Sequence, residues 1–193
     1  MIIYTGTINQ FSSDVLNGII ADKIRNEFNS KVFSHQSDNE YRSWSNSMMY
    51  MNMVLNDSDI DSDIHVAIEY QIPATSKRVD FIVSGKDDNE QSKAVIIELK
   101  QWEEAKRSSR EDVVTTFVGG NIRAVTHPSY QAYSYAKTIE NYNAYVQDKS
   151  LNLYPCAYLH NYPDELRIEL ENDLYKDAVS LAPLYFKNDA LKL

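Results

Sequence analysis

Three apolar runs in close succession, over residues 64–72, 77–84 and 93–100, leave this chain little freedom in how it folds. The PATS segment (Pro73 to Ser76) and the polar stretch from Lys86 to Ser92 separate them, a pattern of consecutive antiparallel hairpins. The third run holds Ala94, Val95, Ile96 and Ile97, apolar on both pleat faces, and is expected at the centre of a sheet covered on both sides. It nevertheless ends in Glu98-Leu99-Lys100. Side chains two apart on a strand share a face, so Glu98 and Lys100 project together. Charged groups in such a place are costly to bury without a partner or a task.

The turns also imply a register. With Ile72 opposite Lys77, Glu69 lies opposite Asp80; with Gly85 opposite Lys93, Asp80 lies opposite Glu98. Directly opposed residues have Cβ atoms roughly 4.5–5.5 Å apart. A row of three carboxylates at that spacing repels itself unless a cation sits among them. A slip of one residue in either hairpin breaks the row.

Around this unit the chain alternates helical and extended patterns. Residues 1–10 suit a short edge strand. From Ser12 or Ser13 as N-cap, Val15, Leu16, Ile19, Ile20, Ile24 and Phe28 recur at helical spacing, with Gly18 as a weak point. Residues 29–37 read as a polar loop. Tyr41, Trp44, Met48, Met51 and Leu55 form the stripe of a second helix, opened by a Ser37–Glu40 capping box and filling a core rather than holding a cofactor. The acidic loop 56–63 lacks the glycine and terminal glutamate of a calcium loop. Residues 101–112 are a short helix or a loop, with Lys106, Arg107 and Arg110 as a solvated charge run or a phosphate contact. Residues 113–118 and 122–127 form a hairpin around Gly119-Gly120-Asn121. Pro128 starts a helix over 129–147, and 152–161 is a strand whose Pro155 suits an edge or a strand start. An amphipathic stretch over 165–181 and a sheet-closing segment at 182–188 complete one expected domain, residues 1–193, of α/β class.

Composition sets outer bounds. The 28 acidic residues outnumber the 19 basic ones, giving a net charge of -9, which argues against a large non-specific nucleic-acid surface. A small basic patch beside an acidic metal cluster remains compatible with it. No apolar run reaches the roughly 20 residues that span a bilayer, and the first residues carry no export pattern. With one cysteine, Cys156, and hence no internal disulfide, a cytoplasmic chain without membrane contact is expected. Cys156 reads as an inert small hydrophobe, and neither His127 nor His160 sits in a spacing typical of zinc.

The pair Arg78-Val79-Asp80 and Glu98-Leu99-Lys100, with 18 positions between the two carboxylates, resembles the PD-(D/E)XK nuclease superfamily. Val79 stands where the superfamily name has proline. Gln131 and Tyr135, four apart on the downstream helix, look like the Q-x-x-x-Y element of RecB-like members. The wider pattern, with RSWSNSM, EYQIP and HPSYQAYSYA, resembles a bacterial family in which a nuclease-like N-terminal domain precedes a helicase-like ATPase domain. No G-x-x-x-x-G-K-[ST] occurs in this chain.

The resemblance implies a restriction-endonuclease-like fold, a mixed central sheet flanked by helices with an αβββαβ core. It implies Mg²⁺ or Mn²⁺ held by Asp80, Glu98 and the carbonyl of Leu99, with Lys100 orienting a water or the scissile phosphate. Glu69 is expected as a further or water-mediated ligand, with Glu40 competing for that supporting acidic role. Gln131 and Tyr135 complete the expected site. The implied activity is hydrolysis of phosphodiester bonds in DNA, coupled to a helicase or ATPase partner in DNA repair or phage defence. Two other readings stand beside it: a catalytically inactive module of the same fold that binds nucleic acid or a protein, and a structural domain docking a partner through the tyrosine-rich helix and C-terminal tail.

Overall fold

The computed structural model describes residues 1–32, 37–61, 64–87, 89–149 and 151–193. Strand β1 (Tyr4–Thr7) leads directly into helix α1 (Ile8–Leu16), because Thr7 and Gln10 form a capping box. A second helix, α2 (Ile20–Val32), follows. The single helix expected from Ser12 or Ser13 is therefore two: Gly18, at φ +68°, turns the chain between them. Leu16, counted on the apolar stripe, is 78% exposed as a result. Helix α3 (Asp38–Leu55) starts at the Ser37–Glu40 capping box and buries Trp44, Met48, Met51 and Leu55, as the spacing predicts. Residues 33–36 of the expected first loop and 62–63 of the acidic loop lie outside the described residues.

The three runs form β2 (His65–Gln71), β3 (Arg78–Lys86) and β4 (Ser92–Lys100). Residues 101–112 are neither helix nor simple loop. They contain β5 (Ala105–Arg107), which joins β6 (Val113–Val118) and β7 (Asn121–Thr126) in a separate three-stranded sheet. The β6–β7 turn places Gly119 and Gly120 at φ +58° and +81°, the two positive values that a tight hairpin turn requires. Helix α4 (Pro128–Tyr142) begins on proline and breaks at Asn143 before α5 (Ala144–Lys149). Strand β8 (Asn152–Leu159) follows. The amphipathic stretch of the tail divides into a 3₁₀ turn at Asp164–Glu169 and α6 (Lys176–Leu181), and the strand β9 (Leu184–Phe186) closes the sheet edge as expected.

The main sheet is mixed, in the order β1-β2-β3-β4-β8-β9, and the protein is of α/β class. Around it the elements α3, β2, β3, β4, α4 and β8 succeed one another in the expected αβββαβ order, with β5–β7 inserted before α4. Strand β8 runs parallel to β4, from Lys93 opposite Asn152 to Lys100 opposite Leu159. Pro155 is tolerated because β9 pairs only with Ala157 to Leu159, so the strand's outer side is open at the proline. One sheet face is covered by α1–α3, with Phe11, Phe28, Met48 and Met51 against Ile68, Phe81 and Ile97. The other is covered by α4 and α5, with Ala136, Ile139 and Val146 against Val79 and Ile96. Among the described residues no helix is long and apolar enough to cross a membrane.

Candidate active site

The hairpin registers are those the turns imply. Pairs run from His65 opposite Ser84 to Gln71 opposite Arg78, and from Phe81 opposite Ile97 to Lys86 opposite Ser92. They carry Glu69 across from Asp80 and Asp80 across from Glu98, yet the ladder is broken at both points. Glu69 adopts φ +54°, a left-handed conformation that a side chain occupies at a cost of order 1–3 kcal/mol. The β3–β4 pairing stops at Phe81 and Ile97. Beyond that point the Leu99 amide donates to Asp80 Oδ2 at 2.8 Å instead of to backbone.

Asp80 and Glu98 lie near enough for the charge of Asp80 to act on the Glu98 carboxyl. Glu98 Oε1 accepts from Lys100 Nζ and from Gln131 Nε2, each at 2.7 Å. Lys100 Nζ also donates to Gln131 Oε1 at 3.1 Å, and Gln131 Nε2 reaches the Tyr135 hydroxyl at 3.1 Å. The side chains that sequence spacing singled out on β3, β4 and α4 thus meet in one cluster. Leu99 joins it through its N–H.

Glu69 takes another course. Its carboxylate accepts from Trp44 Nε1 at 2.8 Å and pairs with Arg78 Nε at 3.0 Å. It stays on the wall of a cavity of about 140 Å³, with Glu40, Ser43, Trp44, Ser47, Met48, Asp80 and Leu99. Glu40 caps α3 and also lines this cavity. Trp44, Ser43 and Ser47 were not picked out from the sequence as site residues. Their spacings of three, four and seven residues from Glu40 are the signal that places all four on one helix face.

Burial and then the charge of Asp80 push the Glu98 carboxyl up to about 8, and the same two causes push Glu69 up to about 7. Asp80 is also raised by burial, although Lys100 and the Leu99 amide act against the shift. For Lys100, burial acts to lower the ammonium's value, and Glu98 and Asp80 more than offset it, so it stays protonated. Glu98 Oε2 is buried and accepts no hydrogen bond. Either a proton shared with Asp80 or a cation must stand between the two carboxyls.

A divalent ion fits this donor set. Carboxylate oxygens are the hard ligands that Mg²⁺ and Mn²⁺ take, and Mg²⁺ is commonly held by one or two carboxylates with waters and substrate phosphates completing its shell. Among the described residues no three His, Cys, Asp or Glu side chains converge to cage an ion by themselves. The expected row of three is a pair, because Trp44 and Arg78 hold the third acid. His160 is buried, which lowers its value, with Nε2 3.1 Å from Ser47 Oγ and Nδ1 3.0 Å from Asn161 Oδ1. His127 is lowered to about 4 by burial, lies 3.1 Å from the Leu170 carbonyl and stacks on Tyr175. Burial holds the Cys156 thiol up at about 12.

No protein-family model matches this chain, and no curated protein or solved structure is significantly similar to it.

Proposed function

We propose that this chain is a metal-dependent nuclease domain of the PD-(D/E)XK type, hydrolysing phosphodiester bonds in DNA. The observation that carries the reading is the orphaned, buried Glu98 Oε2, beside an ammonium held by Glu98 and Gln131 and under the charge of Asp80. Two buried carboxyls that repel each other, with an oxygen left unsatisfied, are better explained by a cation than by stability. The break in the β3–β4 ladder and the left-handed Glu69 point the same way, since unpaired and strained backbone gathers where function requires it.

Asp80 and Glu98 would hold Mg²⁺ or Mn²⁺. When bound, such an ion supplies an acidified water and positive charge against the phosphate. Lys100 is fixed in direction by its two acceptors, so its ammonium can orient the attacking water or the scissile phosphate without searching for a rotamer. Gln131 positions both Lys100 and Glu98, and Tyr135 positions Gln131. Glu69 and Glu40 supply negative potential on the cavity wall. Coupling to a helicase or ATPase in DNA repair or phage defence is the biological setting proposed with it, by analogy alone.

Labelled DNA incubated with Mg²⁺ or Mn²⁺ tests the activity. Cleavage by the wild type that disappears in both Asp80→Ala and Lys100→Ala supports the enzyme. Binding without cleavage in either metal rejects it in favour of a second reading, an inactive module of the same fold. That reading draws on the two-carboxylate set and on the Glu98–Lys100 contact at 2.7 Å, in which each group already has a partner.

A further inference from the structure

Strand β7 is the outer strand of the small sheet, which runs in the order β5-β6-β7. At six residues it is longer than the other strands at a sheet edge, β1, β5 and β9, which have four, three and three. All its residues except Val125 are exposed, Ile122 at 75%, and Phe117 across from Ile122 on β6 is 59% exposed. The sheet's other face is held down, because Ala105 and Val114 pack against Leu159, Tyr162 and Leu170. A fixed scaffold thus presents the edge.

The two ends of β7 set which of its backbone groups point outward. Val118 pairs with Asn121 across the two-glycine turn, and beyond the strand the His127 amide donates to the Asp112 carbonyl at 2.8 Å. Backbone groups along an antiparallel pair alternate in direction. Asn121, Arg123, Val125 and His127 therefore bond toward β6, and Ile122, Ala124 and Thr126 turn their N–H and C=O outward. Among the described residues no hydrogen bond reaches those three. An edge that must stay single is blunted by proline, lysine or a bulge. This one, NIRAVT, has neither proline nor lysine, and its pairing with β6 is unbroken. Its one charged residue, Arg123, lays its guanidinium against Gly119 at the turn.

A second copy of the same edge fits this pattern. Outward groups must face outward groups, so a two-fold axis near the strand centre places either Arg123 opposite Arg123 or Ala124 opposite Ala124. The first opposes two guanidinium groups directly and leaves Thr126 without an outward partner. The second uses Ile122, Ala124 and Thr126 of both copies and sets no like charges across from each other. We propose that β7 is the interface of a homodimer, its two copies pairing antiparallel with Ala124 opposite Ala124 and Ile122 opposite Thr126. The two small sheets then join into one. An edge-to-edge contact is smaller than the roughly 1,200–2,000 Å² of a stable complex, so the dimer forms only as concentration rises.

Sedimentation equilibrium on the full chain, from micromolar to millimolar concentration, follows the association. Wild type is expected to pass from monomer to dimer across that range. Ala124→Pro removes an outward N–H and none that β6 uses, so the hairpin keeps its ladder while dimerisation weakens roughly tenfold or more. Ala124→Lys sets two ammonium groups face to face and is expected to dissociate the dimer at low salt. Mixing Ala124→Lys with Ala124→Glu is expected to restore association as a heterodimer, which misfolding of either variant would prevent. A wild type that stays monomeric overturns the proposal and leaves the edge to a strand of another protein. A dimer that persists in both Ala124→Pro and Ala124→Lys overturns it in favour of a different surface. A mixture of the two charged variants that stays monomeric overturns the Ala124 register and the proposal with it.

Discussion

Asp80 accepts the Leu99 amide at 2.8 Å, at the point where the β3–β4 ladder ends. A carboxylate thus replaces a backbone carbonyl as the partner of a strand N–H, and in doing so is carried against Glu98. Asp80→Ala leaves that amide without its acceptor, which costs about 1–3 kcal/mol when the group is buried. It also removes the charge that raises Glu98, which offsets part of the loss. Cleavage is expected to fall roughly a thousandfold while Tm changes by only a few degrees. A large loss of Tm with proportionate loss of activity would show a scaffold residue instead.

Stability should fall with rising pH and be rescued by metal. Glu98 and Glu69 hold their protons to about 8 and about 7 in the folded chain. Both values lie above the ordinary carboxylate value that the unfolded chain has. The folded state therefore binds more protons between the two values, and their contribution, fully present below the unfolded value, is lost as pH rises through them. A divalent cation takes the proton's place, so added Mg²⁺ or Mn²⁺ should raise Tm most at the alkaline end. Thermal melts from about pH 6 to pH 9, with and without metal, check this; a metal response of equal size in Asp80→Ala would sink it.

Gln131 makes three contacts with its one amide, to Glu98, Lys100 and Tyr135. Gln131→Ala should lower kcat more than it raises KM, because Lys100 then loses one of its two acceptors, and should cost about 1–3 kcal/mol of stability. Tyr135→Phe removes only the outermost contact and is expected to cost less than about 1 kcal/mol, with activity reduced a fewfold. Steady-state kinetics and urea denaturation separate the two variants.

Glu69→Gln distinguishes a wall residue from a ligand. Trp44 can still donate to the amide oxygen, and only the Arg78 ion pair is lost. Cleavage within about tenfold of wild type is expected. A loss as deep as that of Asp80→Ala would place Glu69 in the ligand set, with Trp44 and Arg78 released when the ion binds.

The turns PATS and 86–92 determined both hairpin registers from the sequence, because strand pairing has a strict two-residue period and the loop ends fix the first pair. The capping box at Ser37 and Glu40, the Gly119-Gly120 turn and the proline-led α4 were equally legible, since each depends on neighbours within a few residues. The Gln131–Tyr135 contact followed from helical spacing. What the sequence left open depended on contacts distant along the chain. Only the fold decided that Trp44 and Arg78 turn Glu69 aside, reducing three acids to a pair. Only the fold gave residues 105–107 a strand to pair with, made Pro155 harmless by starting β9 beyond it, and left Glu98 Oε2 buried without a donor. Local rules placed the charges on their strands; whether a charge finds a counter-charge, a proton or an ion is set by groups that only tertiary packing brings near.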